Sequence, residues 1–393
     1  MTSDFDRIID QRNAWSLKWD FGERILGERD IIPMWVADMD FPAPPAVVEA
    51  IRKRAEHGIY GYPITSKSFW PAVLRWLETR LGWPVEKSWL LRAPGVVSSL
   101  CLCVRAFSNP EDGVIVQTPV YFPFFGAVEM NGRRLVRNPL KYEGGRFLMD
   151  FDNLERQIDS RTRMLILCSP HNPVGRVWTK DELERLGRIC AANEIVIVSD
   201  EIHAELVFGG RRHIPTASLS EDLASRTITL FAPSKTFNLA GLTTSLAVVP
   251  NPELRKRLSA ELERSGFELS NLFGLVALEA AYAHGGEWLD AVLLYLEGNI
   301  RFLQEFVGAR IPRLKFLAPE GTYLGLLDCR SLGLEQKALH EFFWKRAKVY
   351  FSDGLLFGEE LRGFMRINFA CPKPLLNEAL QRIEKAVSEA AAA

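Results

Sequence analysis

Short apolar runs recur through the middle of the chain, each closed by polar or turn residues. Val114-Ile115-Val116-Gln117 stops at Thr118-Pro119, and Leu165 to Cys168 stops at Ser169-Pro170. Ile195 to Ser199, Thr227 to Phe231 and Ser245 to Val249 repeat the pattern. Runs this short and this apolar read as strands buried on both faces. Between them, apolar positions fall at helical spacing. A helix is predicted from about Val97 to Phe107, after Pro94-Gly95, and another near Lys180 to Asn193 with Thr179 as N-cap. Strands alternating with helices predict a mostly parallel sheet covered by helices, an α/β domain. From Pro252 the pattern turns helical, with a break near His284-Gly285-Gly286 and one long helix from Glu287 to Val307. Leu314 to Cys329 reads as strand, turn at Pro319-Glu320-Gly321, and strand. Helices near Glu335 to Ala347 and Pro374 to Ala391 bracket a strand around Phe364 to Phe369. This second region is a smaller α+β domain. The expected division is residues 1–44 as a segment serving the small domain and the active site, 45–285 as the large domain, and 286–393 as the small one.

Composition narrows the picture. The 393 residues suffice for two or three domains, and 47% hydrophobic with 25% charged residues is an ordinary globular balance. Forty-eight basic against 49 acidic residues argue against a dominant nucleic-acid footprint. Ten Trp and 24 Phe imply a large aromatic core, extended by an obligate subunit interface. The start, Met1 to Asp6, lacks a basic region leading into an apolar stretch, and no run reaches membrane-spanning length. The six Cys lie mostly among apolar neighbours and read as buried thiols, with neither disulfides nor a metal cluster. A cytoplasmic protein without membrane or nucleic-acid partners is expected.

The strand ends carry the chemistry. Asn172 follows one run, Asp200 ends the next, and Lys235 follows a third within Ala232-Pro233-Ser234-Lys235-Thr236-Phe237-Asn238. Ligands in parallel sheets bind beyond these carboxyl ends. An isolated Ser-Lys pair is usually a surface feature; here its upstream partners reverse that. A lysine able to form a Schiff base, an acid for a pyridine nitrogen and an amide for a ring oxygen are what pyridoxal 5'-phosphate requires. Glu201 is a poorer acid than Asp200, because the next residue of an extended chain points the other way. His203 touches the ring, orders the acid, or simply edges the cavity. Tyr121, after Pro119-Val120, can stack on a cofactor ring or serve the core. Gly95-Val96-Val97 opens a helix whose free N–H groups suit a phosphate, and Ser234 can add a hydroxyl. Neither segment is a nucleotide-binding fingerprint. Arg366 interrupts an apolar strand and needs either an internal carboxylate or a substrate carboxylate.

With these residues assembled, the chain resembles the MalY/PatB group of cystathionine β-lyases and cysteine-S-conjugate β-lyases. These are fold-type I pyridoxal phosphate enzymes within the aminotransferase class I/II superfamily. The resemblance spans nearly the whole chain. It rests on Met34-Trp35-Val36-Ala37-Asp38-Met39-Asp40-Phe41, Gly61-Tyr62, Gly95-Val96-Val97, Pro119-Val120-Tyr121, Pro170 to Arg176, Ser199 to His203, Ser234 to Asn238 and Arg366-Ile367-Asn368-Phe369. It implies that Lys235 carries the cofactor, Asp200 holds the ring nitrogen, Asn172 meets the ring oxygen and Tyr121 stacks on the ring. Arg366 would bind the substrate carboxylate, with Trp35 and Ala37 beside the substrate. Members are homodimers, so Tyr62 of the partner subunit would reach the phosphate. Many relatives among the aminotransferases carry an arginine eight residues after the lysine; this chain has Thr243.

The implied reaction is β-elimination from an amino acid with sulfur on Cβ, giving a thiol, pyruvate and ammonia, with Lys235 moving the Cα proton. Lys235 or Tyr121 would protonate the leaving thiolate. The alternatives are an aminotransferase, which starts from the same groups, and a regulatory protein that keeps the fold without turnover. The set of Lys235, Asp200, Asn172 and Arg366 argues against the last.

Overall fold

A computed structural model describes residues 4–392. Met1, Thr2 and Ser3, part of the start read above, and Ala393, the last residue of the expected small domain, lie outside the described residues.

The buried runs form a seven-stranded sheet. Its spatial order is Leu90–Ala93, Ser245–Val248, Thr227–Phe231, Val196–Asp200, Thr162–Cys168, Gly113–Thr118 and Arg134–Pro139. Only Ser245–Val248 runs against its neighbours; the remaining pairings are parallel. All six residues of Gly113–Thr118 and all five of Thr227–Phe231 are buried, the consequence of helices on both faces. The chain leaves Gly113–Thr118 for the edge strand Arg134–Pro139, then crosses back to Thr162–Cys168 on the other side. That reversal makes a switch point between Gly113–Thr118 and Thr162–Cys168, where such sheets open a crevice.

The predicted helices are present. Val96–Phe107 begins one residue earlier than its apolar spacing suggests. Lys180–Ala192 starts in a capping box: Thr179 accepts from the Glu182 N–H, and the Glu182 carboxylate accepts from the Thr179 N–H. Glu182 also pairs with Arg176 at 2.9 Å, and Arg176 pairs with Glu320 at 3.0 Å. The same helix start therefore anchors the turn that follows Asn172. In that turn Gly175 has φ +69°, and a Cβ there would lie 2.3 Å from Pro319 Cβ, so the close approach requires glycine.

A second sheet, in the order Lys315–Leu317, Leu324–Asp328, Phe364–Asn368, Ser352–Asp353, is antiparallel. The long helix Gly286–Arg310 and the terminal helix Lys373–Ala392 accompany it. Residues Ile32–Pro33 pair in parallel with Val349–Tyr350, which ties the N-terminal segment to this region. The single helix predicted near Glu335 to Ala347 is divided: Gln336–Glu341 is α-helical and Phe342–Ala347 winds in wider π-type turns. Phe342 and Phe343, at the start of these turns, are both buried. All six cysteines are free thiols, and five of them are buried. Among the described residues, no helix is long and apolar enough to cross a membrane.

Candidate active site

Strand ends from the large sheet converge on a cavity of about 250 Å³. Its wall includes Gly95, Val96, Val97, Ser98, Tyr121, Cys168, Asn172, Asp200, Ile202, His203, Ser234, Lys235, Thr243 and Thr244, with Ala37 contributed by the N-terminal segment.

Lys235 sits in the one-turn helix Pro233–Thr236, directly after Thr227–Phe231. Its Nζ donates to the Ala37 carbonyl at 2.7 Å. Burial pulls the amine down to about 8; Asp38 opposes this, Arg366 reinforces it and Asp200 opposes it. An amine in that range exchanges its proton readily at neutral pH.

Asp200 closes Val196–Asp200, and its Oδ1 accepts from the Ile202 N–H at 3.1 Å. Burial raises its carboxyl to about 7, against the Ile202 N–H and the Lys235 charge. A cation placed against this carboxylate would return it to the ionised form. Glu201 faces away, as strand alternation requires. It accepts from His213 Nε2 at 2.7 Å, the Ser199 hydroxyl at 2.8 Å and the Thr216 N–H at 2.9 Å.

Asn172 and Tyr121 face each other across the switch point, where the Tyr121 N–H donates to the Asn172 carbonyl at 3.1 Å. The Asn172 side-chain oxygen accepts from Arg366 Nη1 at 3.0 Å. This fixes the amide flip and leaves its NH₂ as a donor toward the cavity. His203 lines the cavity but makes no hydrogen bond to Asp200. Its Nδ1 is buried without a partner, and burial lowers the ring to about 3, so it is neutral at working pH.

At the other end, Gly95 caps Val96–Phe107 with no side-chain hydrogen bond, leaving the Val96, Val97 and Ser98 N–H groups open. Ser234, Thr243 and Thr244 place hydroxyls on the same wall. Thr243 takes a left-handed conformation, φ +41°.

Arg366 is 4% exposed and makes no ion pair among the described residues. The internal carboxylate that the sequence left open is therefore not what holds it. Its Nη1 donates to Asn172, and its Nη2 donates to the Trp35 carbonyl at 2.6 Å and to Ser352 Oγ at 3.0 Å. Nε is buried without a partner. Burial lowers the guanidinium to about 10, opposed by Tyr121 and Tyr323. A buried cation held only by neutral groups needs an anion from outside the chain.

Two expected residues stand elsewhere. The Trp35 ring packs against Phe21 and Tyr350 and its Nε1 donates to the Lys18 carbonyl, so Trp35 serves the site through its own carbonyl. Tyr62 is 93% exposed and does not line the cavity of its own chain; Ile64 nearby is 88% exposed. Sequence reading missed Tyr323, whose hydroxyl donates to the Ala37 carbonyl at 2.9 Å, and Ser352 beside Arg366. It also left Asp38 and Asp40 without roles, although two acids alternating within Val36 to Phe41 demand a cation; Lys18 supplies it.

The observed set suits pyridoxal 5'-phosphate. A nucleophilic lysine, an acid, an amide donor and an anion-binding helix start meet in one cavity, with an unpartnered polar atom on His203 in its wall and another on Arg366, which donates to the wall residue Asn172. The model of aminotransferase class I and II matches residues 29–383. The chain belongs to this family. It is 41% identical to the cystathionine beta-lyase PatB of Bacillus subtilis, over 98% of this chain and 100% of that protein. It is 32% identical to the protein MalY of Escherichia coli, over 98% of each. Among solved structures it is similar to cystalysin from Treponema denticola, which contains a pyridoxal 5'-phosphate cofactor. That likeness has a TM-score of 0.96 and 36% identity, over 99% of this chain and 100% of that one.

Proposed function

We propose that this chain is a pyridoxal 5'-phosphate-dependent carbon–sulfur β-lyase, cleaving cystathionine or a related cysteine S-conjugate to a thiol, pyruvate and ammonia. The observation that carries the lyase reading over amino-group transfer is the near full-length likeness to a cystathionine beta-lyase. The cavity supports it with groups for each task. Bound there, the cofactor supplies a protonated ring that draws electrons from the substrate Cα. Asp200 holds the proton on the ring nitrogen. Asn172 donates its NH₂ to the ring oxygen, and Tyr121 covers one ring face. The N–H groups of Val96 and Val97, with Ser234, bind the phosphate in place of the arginine that Thr243 replaces. Lys235 takes the Cα proton and holds it for the leaving sulfur, a task its lowered pKa suits. Arg366 binds the substrate α-carboxylate. Purified protein given cystathionine and other cysteine S-conjugates should release a titratable thiol; none from any conjugate would overturn the proposal.

Arg366→Met should lower kcat/KM for amino-acid substrates about 100-fold, the loss of hydrogen bonds to a charged group worth ~3 kcal/mol. Steady-state kinetics on one S-conjugate measures this, and an unchanged kcat/KM would remove Arg366 from substrate binding.

The homodimer remains part of the proposal, with the small domain and the N-terminal 1–44 segment closing over a large domain of 45–285. Tyr62 and Ile64, exposed on the single chain, support a second copy covering this face. Mixed dimers of Tyr62→Phe and Lys235→Ala chains should regain activity, because one of the two sites then carries neither defect. Mixtures no more active than the parent variants would refute the shared site.

A further inference from the structure

The N-terminal strap Trp35 to Phe41 is fixed by a run of side chains that reach its main chain. Asn368 Nδ2 donates to the Val36 carbonyl at 2.5 Å and to the Asp38 carbonyl at 2.6 Å. Asn238 accepts from the Met39 N–H at 2.9 Å and donates to the Phe41 carbonyl at 2.8 Å. In the middle, the Ala37 carbonyl accepts both Lys235 Nζ at 2.7 Å and the Tyr323 hydroxyl at 2.9 Å. The next residue is Asp38, whose buried Oδ1 has no hydrogen-bond partner. Lys18 Nζ stands 3.4 Å from that oxygen, and the Lys235 ammonium acts on the carboxylate from farther away. Lys18 is 2% exposed and bonds Asp40 at 2.8 Å. Asp40 is itself saturated by Trp19 Nε1 at 2.8 Å and Gln11 Nε2 at 2.7 Å. One lysine thus serves two acids, and Asp40 takes the better share.

We propose that Asp38 is a positioning residue for Lys235. Once Lys235 has taken the Cα proton, its ammonium docks on the Ala37 carbonyl, and Asp38 supplies the counter-charge that Lys18 leaves unspent until the proton passes to the leaving sulfur. The Tyr323 hydroxyl aims the carbonyl, and Asn368 fixes the strap that carries it. This rests on Lys235 being the catalytic lysine and adds the group that governs its proton. The charged groups facing Lys235 are Asp38 from the strap, Asp200 from the large sheet and Arg366 from the small one; behind Asp38 stand Lys18 and Asp40. His203, Tyr121 and Tyr323 are neutral there. Of the two acids, Asp38 acts more strongly on the lysine.

The test uses full-length protein stripped of cofactor. Lys235 is labelled with acetic anhydride across a pH series and read by peptide mass spectrometry. The wild-type midpoint should fall near pH 8. Asp38→Asn should move it down by about one unit, a tenfold rise in free amine at neutral pH, because loss of a nearby negative charge disfavours the ammonium. Asp38→Glu should restore much of the shift. A midpoint unmoved in Asp38→Asn overturns the proposal. Should that variant not fold, the reciprocal measurement decides. In protein labelled with ¹³C at aspartate carboxyls, Lys235→Met should raise the titration of Asp38; an unmoved Asp38 overturns it. Neither readout requires turnover, so failure to release thiol would sink the lyase reading and leave this one standing.

Discussion

Lys235→Ala should release thiol about 10⁴-fold more slowly than the wild type, the upper range for loss of a positioned acid–base group. The fold should survive, because Lys235 lies at the cavity wall and its one hydrogen bond is to the Ala37 carbonyl. Cofactor should still enter, held by the helix start at Val96 and by Asp200. The two proteins should part under borohydride: reduction should fix the cofactor permanently on Lys235 in the wild type, and the variant should lose it on dialysis. A stable adduct on a different lysine, found by peptide mapping, would remove Lys235 from the chemistry.

Asp200→Asn should lower kcat about 10³-fold while keeping the volume of the side chain. An amide cannot hold a proton on the ring nitrogen, and an electrostatic group aimed at developing charge is worth about 10² to 10³. The loss should fall on kcat more than on KM, since the carboxylate acts on the reacting cofactor. Exchange of the substrate Cα proton into heavy water reports the same step without requiring elimination. Wild-type exchange rates in the variant would make Asp200 a structural residue. Burial raises the carboxyl to about 7 before a cation arrives. Cofactor uptake should therefore weaken as pH falls through that value, because the protonated acid offers no charge to the ring.

Local signals revealed the five inner strands of the large sheet because each is a self-contained apolar run, and they missed the edge strands Leu90–Ala93 and Arg134–Pro139, whose burial is mixed. Asp200 and Lys235 were legible because they close or follow such runs, and strand alternation correctly turned Glu201 away from the site. Helices nearer the start were harder to read. Phe69–Leu81 carries Pro71 in its first turn, a position where proline is tolerated but which reads as a break. The pairing of Ile32–Pro33 with Val349–Tyr350 joins residues far apart along the chain, and no periodicity announces it. Tyr323 and Ser352 escaped for the same reason: each matters only because folding brings it to the strap or to Arg366. The oddity of Arg366 in an apolar strand was visible. Its lack of an internal carboxylate became visible only with Asn172, Trp35 and Ser352 around it.

The most direct measurement is the product balance from cystathionine, with and without an added 2-oxo acid. Elimination predicts homocysteine and pyruvate in equal amounts, at a rate indifferent to the oxo acid. Fast amino-group transfer that depends on the oxo acid, with no thiol released, would contradict the account and make the protein an aminotransferase.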